Sequence, residues 1–117
     1  QVEVCLRYQG CQFATRFDAN TYVLMTRALD RFDLAASSDG DLAKALEHAS
    51  AEFLILSFSS DWRFSPARSR EITTALLAAG KRVTYSNLES DAGHDAFLLE
   101  DADYIALLHA WMQRVAV

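Results

Sequence analysis

The sequence predicts an α/β fold in which parallel strands are joined by crossover helices. Two segments have strand signals, residues 53–58 and 83–88, and each is followed by a segment with helical signals. Strand, helix, strand, helix in this order is typical of parallel strands with right-handed crossover connections. A more helical segment precedes them, so the chain is predicted to have two parts, residues 1–36 and residues 37–117.

The first part, residues 1–36, has few strand signals and is predicted to be helical. Asn20 is the predicted N-cap of a helix, because its side chain can accept a hydrogen bond from the first turn. Apolar residues then recur at three- and four-residue spacing on one helix face, namely Tyr22, Met25, Leu29 and Phe32. Such a stripe is most often part of a protein core, and the alternative is that it packs against a partner subunit.

A connection rich in small and turn-forming residues, 35–40, leads to the second part. Asp41 is expected to cap a short helix there. Residues 53–58, Phe-Leu-Ile-Leu-Ser-Phe, form an apolar run of strand length, which predicts a strand that is covered on both faces of the sheet. Residues 83–88 are more polar, so their strand is predicted to lie nearer the edge of the sheet.

The helix between the two strands has clear start and stop signals. Ser65 is its predicted N-cap and Pro66 its first residue, where the missing N–H and fixed φ of proline cost little. Gly80 is its predicted left-handed C-cap, and the two cations that follow suit a helix C-terminus. Its predicted buried face consists of Ile72, Ala75, Leu76 and Ala79.

A last helix is predicted from about residue 101 to residue 114. One of its sides carries Tyr104, Leu108, Trp111 and Val115. We expect Tyr104, Trp111 and Met112 to belong to the core, and we expect Trp62 to pack beneath the loop that contains it.

Composition and charge exclude several classes of function. The net charge of −5 and the pI near 5.0 argue against a nucleic-acid surface, which needs clustered lysine and arginine. No apolar run approaches the roughly 20 residues that span a bilayer, so no membrane partner is expected. Cys5 and Cys11 match neither a disulfide framework nor a metal site, so we expect no metal and a reducing cytoplasm.

The two other histidines are not candidate ligands. His48 and His109 lie in helical patterns, where a structural histidine is commoner than a ligand.

Asp61 and His94 are the candidate catalytic residues. Each follows one of the predicted strands, and the carboxyl ends of parallel strands meet at the edge where open α/β sheets bind ligands. A carboxylate there can accept a bond from histidine Nδ1–H, fix the tautomer and stabilise the imidazolium. The chain order of acid and then histidine is that of triads whose nucleophile comes first. The alternative is that Asp61 only caps a turn and His94 faces solvent.

The nucleophile of such a triad is not found in this sequence. A nucleophile elbow needs the pattern Gly-x-Ser-x-Gly, because its strained turn leaves no room for Cβ atoms. No two of the four glycines are four residues apart, these being Gly10, Gly40, Gly80 and Gly93. We therefore interpret the chain, which begins at Gln1, as the C-terminal piece of a longer protein.

Two segments of the sequence are distinctive. They are residues 58–72, which begin Phe-Ser-Ser-Asp-Trp-Arg-Phe-Ser-Pro, and residues 93–100, Gly-His-Asp-Ala-Phe-Leu-Leu-Glu. Both closely resemble the C-terminal part of the homoserine O-acyltransferases, a family with the α/β-hydrolase fold. Residues 6–10 and 16–22 are similar to its lid helices. The resemblance spans nearly the whole chain. It implies that the first part is a lid-type helical segment that forms a homodimer, and that the second part is the C-terminal portion of an α/β-hydrolase core.

The resemblance also implies an activity, the transfer of an acyl group from coenzyme A to the hydroxyl of L-homoserine in methionine biosynthesis. In this family a serine forms an acyl-enzyme, and a histidine then activates the homoserine hydroxyl. Carried onto this chain, Asp61 is the triad acid and His94 the general base, and Asp95 contacts the homoserine amino group. Acyl-CoA is a co-substrate and no cofactor is implied. Without the serine, the chain alone is expected to be inactive.

Arg63 bears on the choice of acyl donor. An arginine two positions after the acid resembles the succinyl-type members, whereas acetyl-type members often have an apolar residue. A guanidinium can pair in bidentate fashion with the carboxylate of a succinyl group, which an acetyl group lacks. Succinyl-CoA is therefore favoured over acetyl-CoA as the donor. The alternative is that Arg63 covers a helix end or pairs with a surface acid.

Two other classes of function stay open. One is an esterase-type hydrolase of the same fold, in which water takes the place of homoserine. The charged neighbours of the pair, Asp95 and Arg63, favour the transferase over it. The other is a non-catalytic interaction module that is dimeric through the face from Tyr22 to Phe32 and inactive with any acyl donor.

Overall fold

The computed structural model describes residues 2–116, which fall into two compact units, one up to residue 34 and one from residue 35. The elements are α1 (Val2–Arg16), α2 (Ala19–Arg31), a 3-10 helix (Ala36–Ser38), α3 (Leu42–Leu46), β1 (Phe53–Phe58), α4 (Pro66–Ala78), β2 (Val83–Leu88), a second 3-10 helix (Gly93–Leu98) and α5 (Ala102–Val115). Because β1 and β2 are parallel and α4 connects them, the predicted α/β class and parallel pairing are confirmed.

The first unit consists of α1 and α2. Asp18, rather than the predicted Asn20, is the N-cap of α2, and its carboxylate accepts the backbone N–H of Thr21 at 2.7 Å. This bond lowers the pKa of the Asp18 carboxyl. The prediction was wrong because Asn20 already lies in the first turn, where its side chain cannot cap. Phe13 of α1 packs edge-on against Tyr22 of α2, with ring centroids 5.7 Å apart.

The apolar stripe of α2 is exposed. The exposed fractions of Tyr22, Met25, Leu29 and Phe32 range from 57% to 74%, and neither α1 nor α2 has a buried residue. The interpretation as core is therefore wrong for this unit, because two helices alone leave most of each face uncovered. The alternative, that this face packs against a partner subunit, stays a prediction.

In the second unit, β1 and β2 pair in register along their whole length, from Phe53 opposite Val83 to Phe58 opposite Leu88. The predicted bounds of both strands are confirmed. Only the C-terminal end of β1 is buried, however, and residues 53–56 are half-buried. The prediction that β1 is covered on both faces of the sheet is therefore wrong for residues 53–56. The reason is that the sheet of the described residues has only these two strands.

The core of the second unit lies at the C-terminal end of the sheet. Phe58, Leu88 and Ala96 are buried together, and Tyr104 and Leu107 of α5 pack against them. Met112 is 52% exposed, so its assignment to the core is wrong, because it lies on a different side of α5 from these two residues. The predicted bounds of α5 are accurate to one residue, and Asp101 is its N-cap.

Helix α4 begins and ends as its sequence predicts. Pro66 is its first residue and Ser65 its N-cap, although the serine side chain makes no capping hydrogen bond. Gly80 has a φ of +69°, and the N–H groups of Gly80 and Lys81 return to the carbonyls of Leu77 and Leu76 at 3.0 and 2.9 Å. These two bonds form a Schellman motif, in which glycine supplies the left-handed residue.

The buried face of α4 is narrower than predicted. Ala75 and Leu76 are buried, whereas Ile72 is 44% exposed. Its predicted burial is wrong because a two-stranded sheet covers only part of the helix.

An ion-pair group secures the opposite end of the sheet. Glu52, directly before β1, has a side chain that is only 12% exposed and pairs with Arg82 at 3.0 Å and with Arg114 of α5. Arg82 directly precedes β2, so the carboxylate ties the starts of both strands to the end of α5. Within the described residues, no helix has both the length and the apolar character needed to cross a bilayer.

We expect Leu76→Ala to lower the free energy of unfolding by about 2–5 kcal/mol, because it leaves a cavity where the side chain is 1% exposed. The neighbouring change Leu77→Ala is the matched control, and since Leu77 is 60% exposed it should change that free energy by about 0.5 kcal/mol or less. Urea denaturation followed by circular dichroism measures both. Equal effects of the two changes would contradict the packing described for α4.

Candidate active site

Two loops leave the sheet at the same edge. The backbone ladder continues for one residue beyond the strands, where the Ser59 N–H donates to the Leu88 carbonyl at 2.8 Å, and the Asp61 N–H then turns back to the Phe58 carbonyl at 3.0 Å. The loop after β1 therefore presents Asp61 beside the loop after β2, which carries His94. This is the edge of a parallel sheet where ligands are expected.

Asp61 and His94 are in contact. The distance from Asp61 Oδ2 to His94 Nδ1 is 3.1 Å. The other carboxylate oxygen, Oδ1, accepts the backbone N–H groups of Arg63 and Phe64, both at 2.9 Å. Asp61 is 7% exposed and the histidine side chain 25% exposed. The structure therefore brings together the two residues that the sequence singled out, with the acid buried and the histidine accessible.

The surroundings of Asp61 favour its ionised form. Burial by itself would raise the pKa of the carboxyl, because it removes the charge from water. The Phe64 N–H, the His94 ring and the Arg63 N–H outweigh this effect, so the pKa of Asp61 lies below its ordinary value. The aspartate is therefore a carboxylate at neutral pH, despite its burial.

The ionised carboxylate determines which nitrogen of His94 carries the proton. A carboxylate only accepts hydrogen bonds, so the Nδ1 that faces Asp61 must be the protonated nitrogen of the neutral ring. Nε2 is then the free base. An imidazole held in this tautomer can take a proton from a hydroxyl group, and the nearby carboxylate stabilises the resulting cation.

Aromatic rings flank the histidine. The centroid of the Phe64 ring lies 4.9 Å from that of His94, and the Phe97 centroid lies 5.8 Å away. A cavity of about 250 Å³ opens beside the pair. Its lining consists of Asp61, His94 and six further residues, Leu56, Ser57, Phe58, Phe64, Ser69 and Phe97. A larger cavity of about 380 Å³, between the sheet and α5, contains neither member of the pair and is lined by apolar and aromatic residues.

The predicted neighbours of the pair are exposed. The Arg63 side chain lies in solvent with its guanidinium carbon 5.6 Å from the centroid of the Trp62 ring. Trp62 is 78% exposed, so the expectation that it packs beneath the loop is wrong. The turn that wraps its N–H groups around Asp61 leaves the side chain of Trp62 on the outside. Asp95 follows His94 in the second 3-10 helix and is also exposed.

Four residues around the site were not predicted from the sequence, namely Phe64, Phe97, Ser59 and Ser60. The two serines join the loops, since Ser59 Oγ bonds to Ser90 and Ser60 Oγ accepts the Gly93 N–H at 2.9 Å. The sequence did contain a signal for Ser59 and Ser60, because they stand directly before Asp61 in the loop after β1, and short hydroxyl side chains commonly bond to nearby backbone. The phenylalanines gave no such signal.

Within residues 2–116, no hydrogen bond joins a serine, threonine or cysteine side chain to His94. Ser57, which lines the cavity, bonds instead to Tyr85 and Asn87 at 2.9 and 2.8 Å. In the same described range, no group of three or more His, Cys, Asp or Glu side chains is placed to hold a metal ion. His48 pairs at the surface with Glu47.

The chain is similar to curated proteins named homoserine O-succinyltransferase. It is 60% identical over 116 residues to the protein of Laribacter hongkongensis, covering 99% of this chain and 30% of that protein. It is 56% identical over 117 residues to that of Stutzerimonas stutzeri, covering 100% of this chain and 31% of that protein. It is 57% identical over 116 residues to the protein of Paraburkholderia phymatum, covering 99% of this chain and 30% of that protein. The chain thus spans about 30% of the length of these relatives, and no family model matches it.

We expect Asp61→Asn to reduce stability more at pH 5 than at pH 3. A carboxyl whose pKa is lowered by folding contributes stability that is complete above its unfolded pKa, about 4, and is lost as the pH falls through its folded value. Urea denaturation of both proteins at the two pH values measures the difference. An equal difference at pH 5 and pH 3 would contradict the favoured ionisation of Asp61.

Proposed function

We infer that this chain, which is homologous over its whole length to part of the homoserine O-succinyltransferases, carries the acid and the histidine of an acyl-transfer site. The resemblance to homoserine O-acyltransferases found in the sequence is confirmed by these relatives. The proposed reaction of the full-length protein moves a succinyl group from succinyl-CoA to the hydroxyl of L-homoserine, a step of methionine biosynthesis. The observation that carries the proposal is the 3.1 Å contact between Asp61 and His94.

The proposed mechanism has two half-reactions. A serine outside this chain attacks the thioester carbonyl, and His94 Nε2 takes the serine proton and passes it to the departing coenzyme A thiolate. The acyl group is then on the serine oxygen. In the second half, His94 takes the proton of the homoserine hydroxyl, whose oxygen attacks the acyl carbonyl. The bond between that carbonyl and the serine oxygen then breaks, and His94 returns the proton to the serine. Asp61 stabilises the imidazolium that forms in each half.

Two charged side chains beside the pair are proposed to bind substrate. Asp95 is exposed directly after His94, where its carboxylate suits the ammonium group of homoserine. Arg63 is exposed two residues after Asp61, and no ion pair of the described residues includes it. Its guanidinium is therefore open to pair with the succinyl carboxylate.

The larger architecture is also part of the proposal. We interpret residues 37–117 as the C-terminal portion of an α/β-hydrolase core and residues 1–36 as a lid-type segment through which a homodimer forms. The parallel strands with a crossover helix support the first point. The exposed apolar face of α2 supports the second. The reaction is proposed to need no cofactor beyond acyl-CoA and to take place in the cytoplasm.

A hydrolase is the second candidate function. The Asp61–His94 pair would serve equally when water, rather than homoserine, attacks the acyl-enzyme. The requirement for L-homoserine separates the two functions. A non-catalytic interaction module, favoured by the exposed apolar side chains of α1 and α2, would release no coenzyme A.

We expect the full-length gene product to release coenzyme A thiol from succinyl-CoA only when L-homoserine is present, as a thiol-reactive dye measures. His94→Ala should lower kcat by about six orders of magnitude, because the general base is lost. His48→Ala is the matched control, since the His48 side chain is 90% exposed and remote in sequence from the pair. Release without homoserine would favour the hydrolase, and no release would favour the interaction module.

We expect Arg63→Leu to lower kcat/KM for succinyl-CoA by about 10- to 100-fold, the loss that corresponds to one hydrogen bond with a charged group. With acetyl-CoA, which has no carboxylate to pair, the same change should have little effect. For succinyl-CoA, the kcat/KM of Arg63→Lys should lie between those of the unmodified protein and Arg63→Leu, because lysine keeps the charge but loses the bidentate geometry. Arg70→Leu, which removes an exposed cation from α4, is the control. Equal losses with both donors would show that Arg63 does not select the donor.

A further inference from the structure

The side chain of Ser60 contacts the residue directly before His94. Its Oγ accepts the backbone N–H of Gly93 at 2.9 Å. The next residue of each loop, Asp61 and His94, forms the 3.1 Å contact of the candidate site. Ser60 and Asp61, in the loop after β1, are therefore hydrogen-bonded to Gly93 and His94, in the loop after β2.

The backbone that carries His94 needs such a restraint. Gly93 begins the second 3-10 helix with a φ of +67°, and a glycine has more backbone freedom than any other residue. The N-cap residue of that helix, Ala92, offers no side-chain hydrogen bond. The hydroxyl of Ser60 thus restrains the first turn of the segment from the outside, one peptide unit before the histidine.

We propose that Ser60 is a positioning residue for the Asp61–His94 pair, a proposal that rests on the proposed function. By accepting the Gly93 N–H, the hydroxyl fixes the backbone before His94 and thereby the place of Nδ1 relative to the carboxylate. The role requires an acceptor at this position, because an apolar side chain would leave the Gly93 N–H without its bond. Ser60 does not contact the reacting atoms, and it acts through the histidine.

Ser59 offers a natural comparison within the same loop. Its Oγ accepts the Ser90 N–H at 3.0 Å and donates to the Ser90 carbonyl at 3.1 Å. This contact also joins the two loops, but Ser90 lies four residues before His94 and the contact is exposed. If Ser60 acts by its position beside Gly93, loss of the Ser59 hydroxyl should disturb the pair much less.

The test compares Ser60→Val with Ser60→Thr in the full-length gene product. The two variants have nearly the same shape and differ in the hydroxyl, so a fold that fails from bulk alone fails in both. Ser59→Ala is the matched control. The first measurement is the downfield proton resonance of the His94 Nδ1–H, which reports its hydrogen bond to Asp61 directly. The second is coenzyme A release with succinyl-CoA and L-homoserine, analysed as kcat and KM.

We expect Ser60→Val to lose or broaden the resonance and to lower kcat by up to about 100-fold, the cost of a misplacement near 1 Å, with little change in KM. Ser60→Thr and Ser59→Ala should keep both the resonance and kcat close to the unmodified protein. Ser60→Ala, the smallest change, should behave as Ser60→Val and provides the same comparison if both larger side chains prevent folding.

Retention of the resonance in Ser60→Val and Ser60→Ala would overturn the proposal, and so would an equal loss in Ser59→Ala. The resonance tests the role of Ser60, and coenzyme A release tests the proposed function, so failure of one can be told from failure of the other. If the unmodified protein released no coenzyme A with homoserine, the acyltransferase proposal would fail, while the resonance would still decide whether Ser60 positions His94.

Discussion

The buried carboxylate of Asp61 is the feature on which the site depends. Its charge lies out of water, so it is stable there only because each oxygen has partners, two backbone N–H groups on one and His94 on the other. This requirement determines the course of the loop after β1. The chain must wrap around Oδ1, which places Trp62 and Arg63 on the outer side of the turn, and it must leave Oδ2 open toward the neighbouring loop.

The parallel sheet makes that encounter possible. The two strands have equal length and pair end to end, so the loops that follow them leave at the same edge. One end of the sheet is secured by Glu52 with its two arginines. The other end is secured by Ser59 and Ser60, close to the candidate site. The bond of Ser60 reaches the residue directly before the histidine, and the cavity with its phenylalanines opens next to the pair.

Several predictions about burial were wrong for one shared reason. Periodicity identifies the apolar face of a helix, but it does not identify what covers that face. The stripe of α2, Ile72 of α4 and Met112 of α5 all consist of apolar side chains, and each of these side chains is between 44% and 74% exposed. The described residues have one two-stranded sheet and few layers to cover these faces.

Local signals in the sequence were sufficient to predict most of the secondary structure and the resemblance to the homoserine O-acyltransferases. The bounds of both strands, the start of α4 at Pro66 and its left-handed end at Gly80 depend on neighbouring residues, and local signals are sufficient for them. The order of strands and helices also predicted that Asp61 and His94 would meet. The folded structure was needed to show which phenylalanines flank the histidine and that Ser60 bonds to the residue before His94. Phe64 and Ser60 lie about thirty positions from the residues that they contact, and no local pattern encodes such distances. Phe97 lies only three positions after His94, but its approach to the ring depends on the 3-10 helix that carries both.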